Sequence, residues 1–134
     1  MPFSLRVVSV ERSLFEGDVD FVVANGADGE LGILPRHAPL MTILKPGALK
    51  IRHGGNEELL FVGGGFLEVL PDRVTVLADV AEHADEISVQ QAEEARRRAQ
   101  EKLAGTLTAS EETEFQNALA MAEARLRLAR TRRG

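Results

Sequence analysis

The chain has 134 residues, 44% of them hydrophobic and 28% charged, which is enough for one globular domain or a smaller domain with an appendage. Because it has no cysteine, it excludes disulfides, thiolate metal ligands and cysteine nucleophiles. Its formal net charge of -5 and its lack of tyrosine and tryptophan disfavour nucleic acid as a partner. No apolar run approaches the ~20 residues of a membrane-spanning helix. The N-terminus does not resemble a secretory signal, so export is not expected.

Short runs rich in β-branched residues fill the first 80 residues, with the spacing typical of an all-β sandwich or barrel. They predict seven to ten strands. The clearest candidates are residues 3–10, 19–24, 41–44, 49–52, 59–62, 66–70 and 74–78. In the second of these, Val19, Phe21 and Val23 would share the buried face, because side chains alternate along a strand.

Turns are predicted where glycine, asparagine or proline interrupts these runs, because glycine and asparagine tolerate positive φ and proline restricts φ. The predicted turns are Asn25 with Gly26, Gly54 with Gly55 and Asn56, and Pro71 with Asp72. Three consecutive glycines, residues 63–65, lie between strand-like runs with no helix to bind a phosphate, so they predict a hairpin or bulge.

The composition changes to helix-forming residues at Ser88. Ser88 with Gln91 makes a capping box that should start a helix, and Gly105 should end it by adopting a left-handed conformation. Thr108 with Glu111 makes a second capping box, from which a second helix should continue to about residue 132.

Each predicted helix carries a thin apolar stripe, and the loop of about five residues between them predicts an antiparallel hairpin. The stripes are Val89, Ala92, Ala99 and Leu103 on the first helix, and Phe115, Leu119, Ala122, Leu126 and Ala129 on the second. An alanine-rich seam buries little apolar area, and burial stabilises by only about 25 cal/mol per Å². We therefore expect the hairpin to detach readily from any other surface.

These patterns predict a β-domain over residues 1–84, a linker over residues 85–87 and a helical hairpin over residues 88–134. His83 lies in the charged run of residues 82–86, which is interpreted as a solvated connection. The C-terminus is basic, so we expect it to bind an acidic protein surface. Its cations are Arg125, Arg127, Arg130, Arg132 and Arg133.

No nucleophile elbow, zinc-binding helix motif, phosphate-binding loop or dinucleotide fingerprint occurs, so no catalytic site is predicted. The three histidines, His37, His53 and His83, are scattered without metal-ligand spacing, and no metal site is predicted. A hydrolase using carboxylates such as Asp28 and Glu30 stays a distant alternative, because nothing positive favours it.

Five motifs in order along the chain resemble the epsilon subunits of bacterial F-type ATP synthases. The most specific is GELGILPRHAPL at residues 29–40. The others are VSVE at residues 8–11, KPG at 45–47, GGGFLEV at 63–69 and VTVLAD at 74–79. With a helical hairpin of the right length after them, the resemblance covers essentially the whole chain.

The resemblance implies a ten-stranded antiparallel β-sandwich at the foot of the rotating central stalk of a proton-translocating ATP synthase. It would bind the gamma subunit and rest on the membrane ring of c subunits, at the cytoplasmic face of the inner membrane and attached only through the complex. It implies no catalytic residue and no cofactor. Glu30 and the loop through His37 would face the c-ring, although His37 could simply stabilise its own loop.

In this family the helical hairpin is regulatory: folded beside the sandwich it permits turnover, and extended along gamma it inhibits ATP hydrolysis. The resemblance therefore implies that Arg125, Arg127 and Arg130 contact the alpha and beta subunits of the catalytic head. The alternative from the residues alone is a β-sandwich ligand-binding module dimerised through its helices.

Some family members bind ATP on the folded hairpin through Ile or Leu, Asp, two variable residues, Arg and Ala. Residues 87–92 here read ISVQQA, so Ile87 and Ala92 match, whereas Ser88 and Gln91 replace the aspartate and the arginine. The cation suited to a phosphate is missing, which makes ATP sensing doubtful. Arg98, Arg125 or Arg127 could compensate for it.

Overall fold

The computed structural model describes residues 2–133, with side chains described to residue 131. The side chains of Arg132 and Arg133, which belong to the predicted basic tail, therefore lie outside the described part. The chain divides into two compact units, Met1–His83 and Ala84–Gly134.

The first unit is a single eight-stranded sheet. Its strands are β1 (Phe3–Ser9), β2 (Ser13–Val19), β3 (Phe21–Gly26), β4 (Gly29–Ile33), β5 (Leu40–His53), β6 (Asn56–Val69), β7 (Arg73–Ala78) and β8 (Ala81–His83). Their order is β2-β1-β7-β6-β5-β3-β4, and β8 also pairs with β6. Neighbouring strands are antiparallel except for β1, which runs parallel to β7.

The sequence prediction of ten antiparallel strands is wrong in number and in one pairing. β5 and β6 are each 14 residues long, and each contains two of the predicted short strands. Pairing continues across the glycines that should separate them, with Leu44 opposite Gly65 and Gly47 opposite Val62. The predicted hairpin or bulge at residues 63–65 is therefore wrong: Gly64 and Gly65, with φ of 97° and 133°, lie within β6, and its register with β5 does not shift there.

The long strands β5 and β6 connect two halves of the sheet, because the two ends of β6 pair with different strands. The C-terminal part of β6 pairs with β7, where Glu68 is opposite Thr75, and its N-terminal part pairs with β8, where Leu60 is opposite His83. One hydrophobic core draws residues from seven strands, β1 to β7. The sheet therefore encloses a common core between its two halves, which is a sandwich-like arrangement.

The predicted strand over residues 19–24 is confirmed only for residues 21–24, because Val19 ends β2 and Asp20 separates β2 from β3. The amide of Asp20 donates to the carbonyl of Arg52 at 2.8 Å, and its carboxylate accepts from the amide of Gly54 at 3.2 Å. Alternation restarts after this break. Val22 and Ala24 are buried, whereas Phe21 and Val23, which were expected to share the core face with Val19, are only half-buried.

The turn predictions hold at two of three positions. Gly54 and Gly55 form a hairpin turn with positive φ, although Asn56 already begins β6, and Pro71 with Asp72 separates β6 from β7. Asn25, in contrast, lies within β3, and its side-chain amide donates to the carbonyl of Pro46 at 3.1 Å. The turn falls two residues later, at Ala27 and Asp28.

The second unit contains a single-turn 3-10 helix (Ala84–Glu86), α1 (Val89–Leu103) and α2 (Ala109–Arg133). Both predicted helix starts are confirmed: Ser88 accepts from the amide of Gln91 at 3.2 Å, and Thr108 precedes α2. The prediction that Gly105 ends α1 in a left-handed conformation is wrong. α1 ends instead through bonds from the amides of Ala104 and Gly105 to carbonyls of its last turn.

The two helices form an antiparallel hairpin with a thin seam. Its buried residues from the predicted stripes are Ala92 and Ala99 on α1, and Ala122, Leu126 and Ala129 on α2. The other four stripe residues are only half-buried. Arg130, near the end of α2, lies 3.9 Å from the carboxylate of Glu93, near the start of α1.

Candidate interaction surfaces

An exposed row of large apolar side chains crosses three neighbouring strands of the first unit. Ile43 on β5 is opposite Phe66 on β6, which is opposite Leu77 on β7. Their exposures are 57%, 53% and 53%. We refer to Ile43, Phe66 and Leu77 as the apolar row. The water-facing side of an antiparallel sheet is usually polar, so the apolar row is a candidate contact surface.

Local strand geometry explains why the apolar row is exposed. Leu44, Leu67 and Val76, each one residue from a member of the row, are buried in the core. Successive side chains point to opposite faces, so these strands are apolar on both sides. The neighbouring cross-strand set is more polar: Met41 is opposite Glu68, and Glu68 is opposite Thr75. An apolar centre beside polar groups is the usual composition of a protein interface.

Glu30, predicted to contact the c-ring, is exposed on β4, the edge strand, opposite Asn25. With Asp28, Leu40 and Thr42 it lines a shallow cleft of about 110 Å³. His37 does not line this cleft, although the two residues belong to the same motif. The two residues therefore do not share this cleft.

The loop between β4 and β5 is held by its own backbone. The ring Nδ1 of His37 lies 2.7 Å from the carbonyl oxygen of Ala38, and the amide of His37 donates to the carbonyl of Leu34. Arg36 has a φ of 65°, and its amide donates to the carbonyl of Pro71 at 3.0 Å. This loop is thus ordered by local bonds and by the neighbouring β6–β7 turn.

Two histidines flank one carboxylate in a cluster that the sequence prediction missed. Nε2 of His53 lies 3.0 Å from Oε2 of Glu58, and Nδ1 of His83 lies 3.9 Å from Oε1 of the same residue. The histidines had been interpreted as scattered because the three residues lie on β5, β6 and β8. Strand pairing alone brings them together, so no signal along the chain reveals the cluster.

The interpretation of residues 82–86 as a solvated connection holds only for Asp85 and Glu86, which are exposed. His83 ends β8, and Ala84 begins the 3-10 helix with only 5% of its surface exposed. Apolar residues flank the charged ones here, with Ala81 opposite Val62 and Ile87 buried. The charged residues predicted a loop, whereas the segment forms the end of β8 and the 3-10 helix, with small and apolar residues packed beside the charged ones.

The residues considered for ATP do not converge on one cavity. Arg98 lines a space of about 320 Å³ between α1 and α2, together with Gln91, Glu94, Phe115 and Ala118. Ile87 and Ala92 are buried and do not line it, and neither does Arg125, which is half-buried.

The arginines predicted to contact the catalytic head differ in environment. Arg127 and Arg130 are exposed, and Arg130 is the residue that reaches Glu93 across the hairpin. Arg125 is half-buried and makes an interaction of its own. A pair separated by 3.9 Å between side chains exposed by 60% and 50% is weak, so Arg130 can exchange partners readily.

Among the described residues, no group of three or more histidine, aspartate or glutamate side chains is arranged to hold a metal ion. No helix in the same part of the chain is long and apolar enough to span a membrane.

Comparison with known proteins identifies the family. Residues 2–84 match the domain family described as ATP synthase, Delta/Epsilon chain, beta-sandwich domain. An ATP synthase epsilon chain from Dehalococcoides mccartyi is 49% identical over 134 residues, covering 96% of this chain and 93% of that protein. The chain belongs to the ATP synthase epsilon chain family. The resemblance inferred from the five sequence motifs is confirmed.

One further relative is similar in sequence, and one solved structure is similar in fold. The ATP synthase epsilon chain of Acidithiobacillus ferridurans is 55% identical over 105 residues, which cover 78% of this chain and 74% of that protein. A chain in a cryo-EM structure of the Euglena gracilis mitochondrial ATP synthase superposes with a TM-score of 0.81 at 21% identity, covering 92% of this chain and 78% of that chain. At that identity the second match concerns the fold alone.

Proposed function

We propose that this chain is a non-catalytic rotor subunit in the central stalk of a proton-translocating ATP synthase. It couples proton flow to ATP synthesis through protein contacts and restrains ATP hydrolysis through its helical hairpin. Membership of the epsilon chain family supports the subunit role. The observation that carries the contact role is the apolar row on the first unit.

The apolar row is the proposed binding surface for the gamma subunit. Three large side chains, each more than half exposed, lie side by side on paired strands, so one partner surface can cover all of them. Covering apolar area stabilises a complex by about 25 cal/mol per Å² before the cost of association is subtracted. Rigid strands hold the side chains, so little ordering is needed on this side of the interface.

The c-ring contact is proposed for the edge of the sheet that carries Glu30 and for the loop that carries His37. Glu30 is exposed on an edge strand, where it can accept hydrogen bonds from polar loops of a partner. The chain would then be associated with the cytoplasmic face of the inner membrane only through the complex.

The hairpin is proposed to act as a brake on ATP hydrolysis. Its seam consists mainly of alanines, so little apolar burial opposes a rearrangement. Arg127 and Arg130 are exposed cations near the end of α2, and with Arg125 they are suited to acidic residues of the alpha and beta subunits. Such contacts, made only in the extended state, shift the hairpin between two positions.

The decisive experiment is co-elution of the full chain with a complex of alpha, beta and gamma subunits, comparing Phe66→Asp with Val10→Asp. Both positions are exposed, but Val10 lies in the β1–β2 turn, outside the apolar row. We expect Phe66→Asp to lose co-elution and Val10→Asp to keep it. Equal co-elution of both variants contradicts the proposed gamma surface.

The same complex tests the brake, with ATP hydrolysis measured after addition of the full chain or of residues 1–87. Inhibition by the full chain alone supports the hairpin as the brake. If both forms co-elute and neither inhibits, the role is structural coupling only. Failure to co-elute, together with self-association, favours the alternative of a ligand-binding module dimerised through its helices.

A further inference from the structure

We propose that Arg36 is a binding residue for a carboxylate of the c-ring, and that it occupies a turn position better suited to glycine. It is the only residue other than glycine with a positive φ, 65°, in the part of the chain that the structure describes. A β-carbon raises the energy of this left-handed conformation, which glycine adopts freely. Strained backbone of this kind is concentrated at functional sites.

Arg36 lies in a tight turn between β4 and β5. The amide of His37 donates to the carbonyl of Leu34 at 3.2 Å, so Pro35 and Arg36 are the central residues of a four-residue turn. Proline followed by a residue with positive φ is typical of a type II turn, in which the second of these residues is usually glycine or asparagine. The amide of Arg36 also donates to the carbonyl of Pro71 at 3.0 Å. Both bonds use backbone atoms, so the turn does not require an arginine side chain.

The side chain of Arg36 is available to a partner. It is exposed, and its guanidinium makes no hydrogen bond or ion pair with any residue that the structure describes. Leu34, at the start of the same turn, is 59% exposed. Arginine is enriched in protein interfaces, where polar groups surround an apolar centre. Since the fold does not use the guanidinium, we infer that a binding partner does.

The charges that precede the turn favour a protein partner over a lipid surface. Asp28 and Glu30 are exposed just before and within β4, the strand that leads into this loop. Anionic lipids bind clusters of several cations, and they would repel these two carboxylates. A guanidinium, in contrast, binds a single carboxylate through two parallel hydrogen bonds. A polar loop of the c-ring that presents both signs of charge would complement Arg36 and Glu30 together.

This inference rests on the proposed function, so the test measures binding of the full chain to two complexes. One is the alpha, beta and gamma complex, and the other is whole ATP synthase depleted of this subunit, which also contains the c-ring. Arg36→Ala removes the cation and should weaken binding to the whole enzyme at least about tenfold, without changing binding to the first complex. The matched control is Lys50→Ala, which removes an exposed cation from β5 and should change neither affinity.

Arg36→Gly separates the backbone strain from the binding role. It removes the β-carbon, so it should raise the midpoint of thermal unfolding of the isolated chain by about 2–6 °C, even though glycine adds entropy to the unfolded chain. Arg36→Ala keeps the strained conformation and should leave the midpoint nearly unchanged. Both variants should lose binding to the whole enzyme equally. A less stable Arg36→Gly chain contradicts the strain at this turn and overturns the proposal.

The remaining outcomes distinguish this inference from the proposed function. If Arg36→Ala binds the whole enzyme as tightly as the unchanged chain does, the contact with the c-ring is overturned. Binding of the unchanged chain to phosphatidylglycerol vesicles, if Arg36→Ala abolishes it, assigns the cation to lipid and also overturns that contact. If the unchanged chain fails to bind the alpha, beta and gamma complex, the proposed function itself is contradicted.

Discussion

Thr108 and Glu111 cap α2 reciprocally: the amide of Thr108 donates to Oε1 of Glu111, and the amide of Glu111 donates to Oγ1 of Thr108, both at 3.1 Å. The hydrogen bonds from the backbone and side chain of Thr108 lower the pKa of the Glu111 carboxyl, because they favour its ionised form. A lowered pKa means that the stabilisation is complete above the usual glutamate range and is lost as the pH falls through the lowered value.

We therefore expect the carboxyl of Glu111 to titrate below the usual glutamate range. NMR titration of its carboxyl carbon measures the midpoint. Thr108→Ala should raise this midpoint, because it removes the side-chain partner. A midpoint that Thr108→Ala leaves unchanged would contradict the reciprocal cap in solution.

Gly65 should be the glycine least tolerant of alanine. A β-carbon there would collide with the carbonyl oxygen of Leu77 and lie 2.9 Å from the α-carbon of Ala78, at a φ of 133°. We expect Gly65→Ala to lower the free energy of unfolding by about 2–4 kcal/mol, measured by urea denaturation.

Variants of two further glycines distinguish the steric clash at Gly65 from the strain of its positive φ. Gly29 has a similar φ of 129° with nothing within 4 Å of the added carbon, so Gly29→Ala should lose only about 1–2 kcal/mol. Gly17 lacks a positive φ and would make an ordinary contact with Phe15 at 3.8 Å, so Gly17→Ala should be nearly neutral. A Gly65→Ala loss no larger than that of Gly29→Ala would show that the clash is relieved by backbone movement.

Neutralising Arg125, Arg127 and Arg130 together to glutamine should weaken inhibition of ATP hydrolysis in the alpha, beta and gamma complex. Each lost charged hydrogen bond at an interface weakens binding by about 1.5–3 kcal/mol, so inhibition should require at least tenfold more of the variant. The matched control neutralises Arg96, Arg97 and Lys102, which removes the same charge from α1. Inhibition that is unchanged by the α2 substitutions would count against the proposed brake contacts.

ATP should bind the isolated chain weakly, because Gln91 replaces the arginine of the family pattern and the other candidate residues do not share the cavity with Arg98. Isothermal calorimetry should show no saturable binding below about 1 mM ATP. Restoring the pattern with Ser88→Asp and Gln91→Arg should increase affinity at least about tenfold. The helix start is preserved in this variant because aspartate is as good an N-cap as serine. Micromolar binding by the unchanged chain would contradict this prediction.

Local bonds explain why the helix starts could be predicted. The capping residues Ser88 and Thr108 lie within three residues of the groups that they bond, so the sequence spacing nearly specifies the geometry. The Gly54–Gly55 turn was predictable for the same reason. Gly105 shows the limit, because a helix can also end through tightened backbone bonds without a left-handed residue.

Contacts between distant residues explain the failures. The bond between Asp20 and Arg52 resets the alternation of β3, so the core face falls on Val22 and not on Phe21. His53 and His83 meet at Glu58 only because two different strands pair with β6. The c-ring, head-contact and ATP residues inferred from the family resemblance remain predictions.

By itself the sequence determined the family, the order of a β-domain and a helical hairpin, and the residues that start each helix. Only the tertiary structure decided that β1 lies parallel to β7, that β5 and β6 continue through their glycines, and that Ile43, Phe66 and Leu77 form one exposed row. A period of two residues shows that a strand has two different faces. It does not show which strands are neighbours or which face is covered, because backbone pairing over long sequence separations is decided by the packing of the whole sheet.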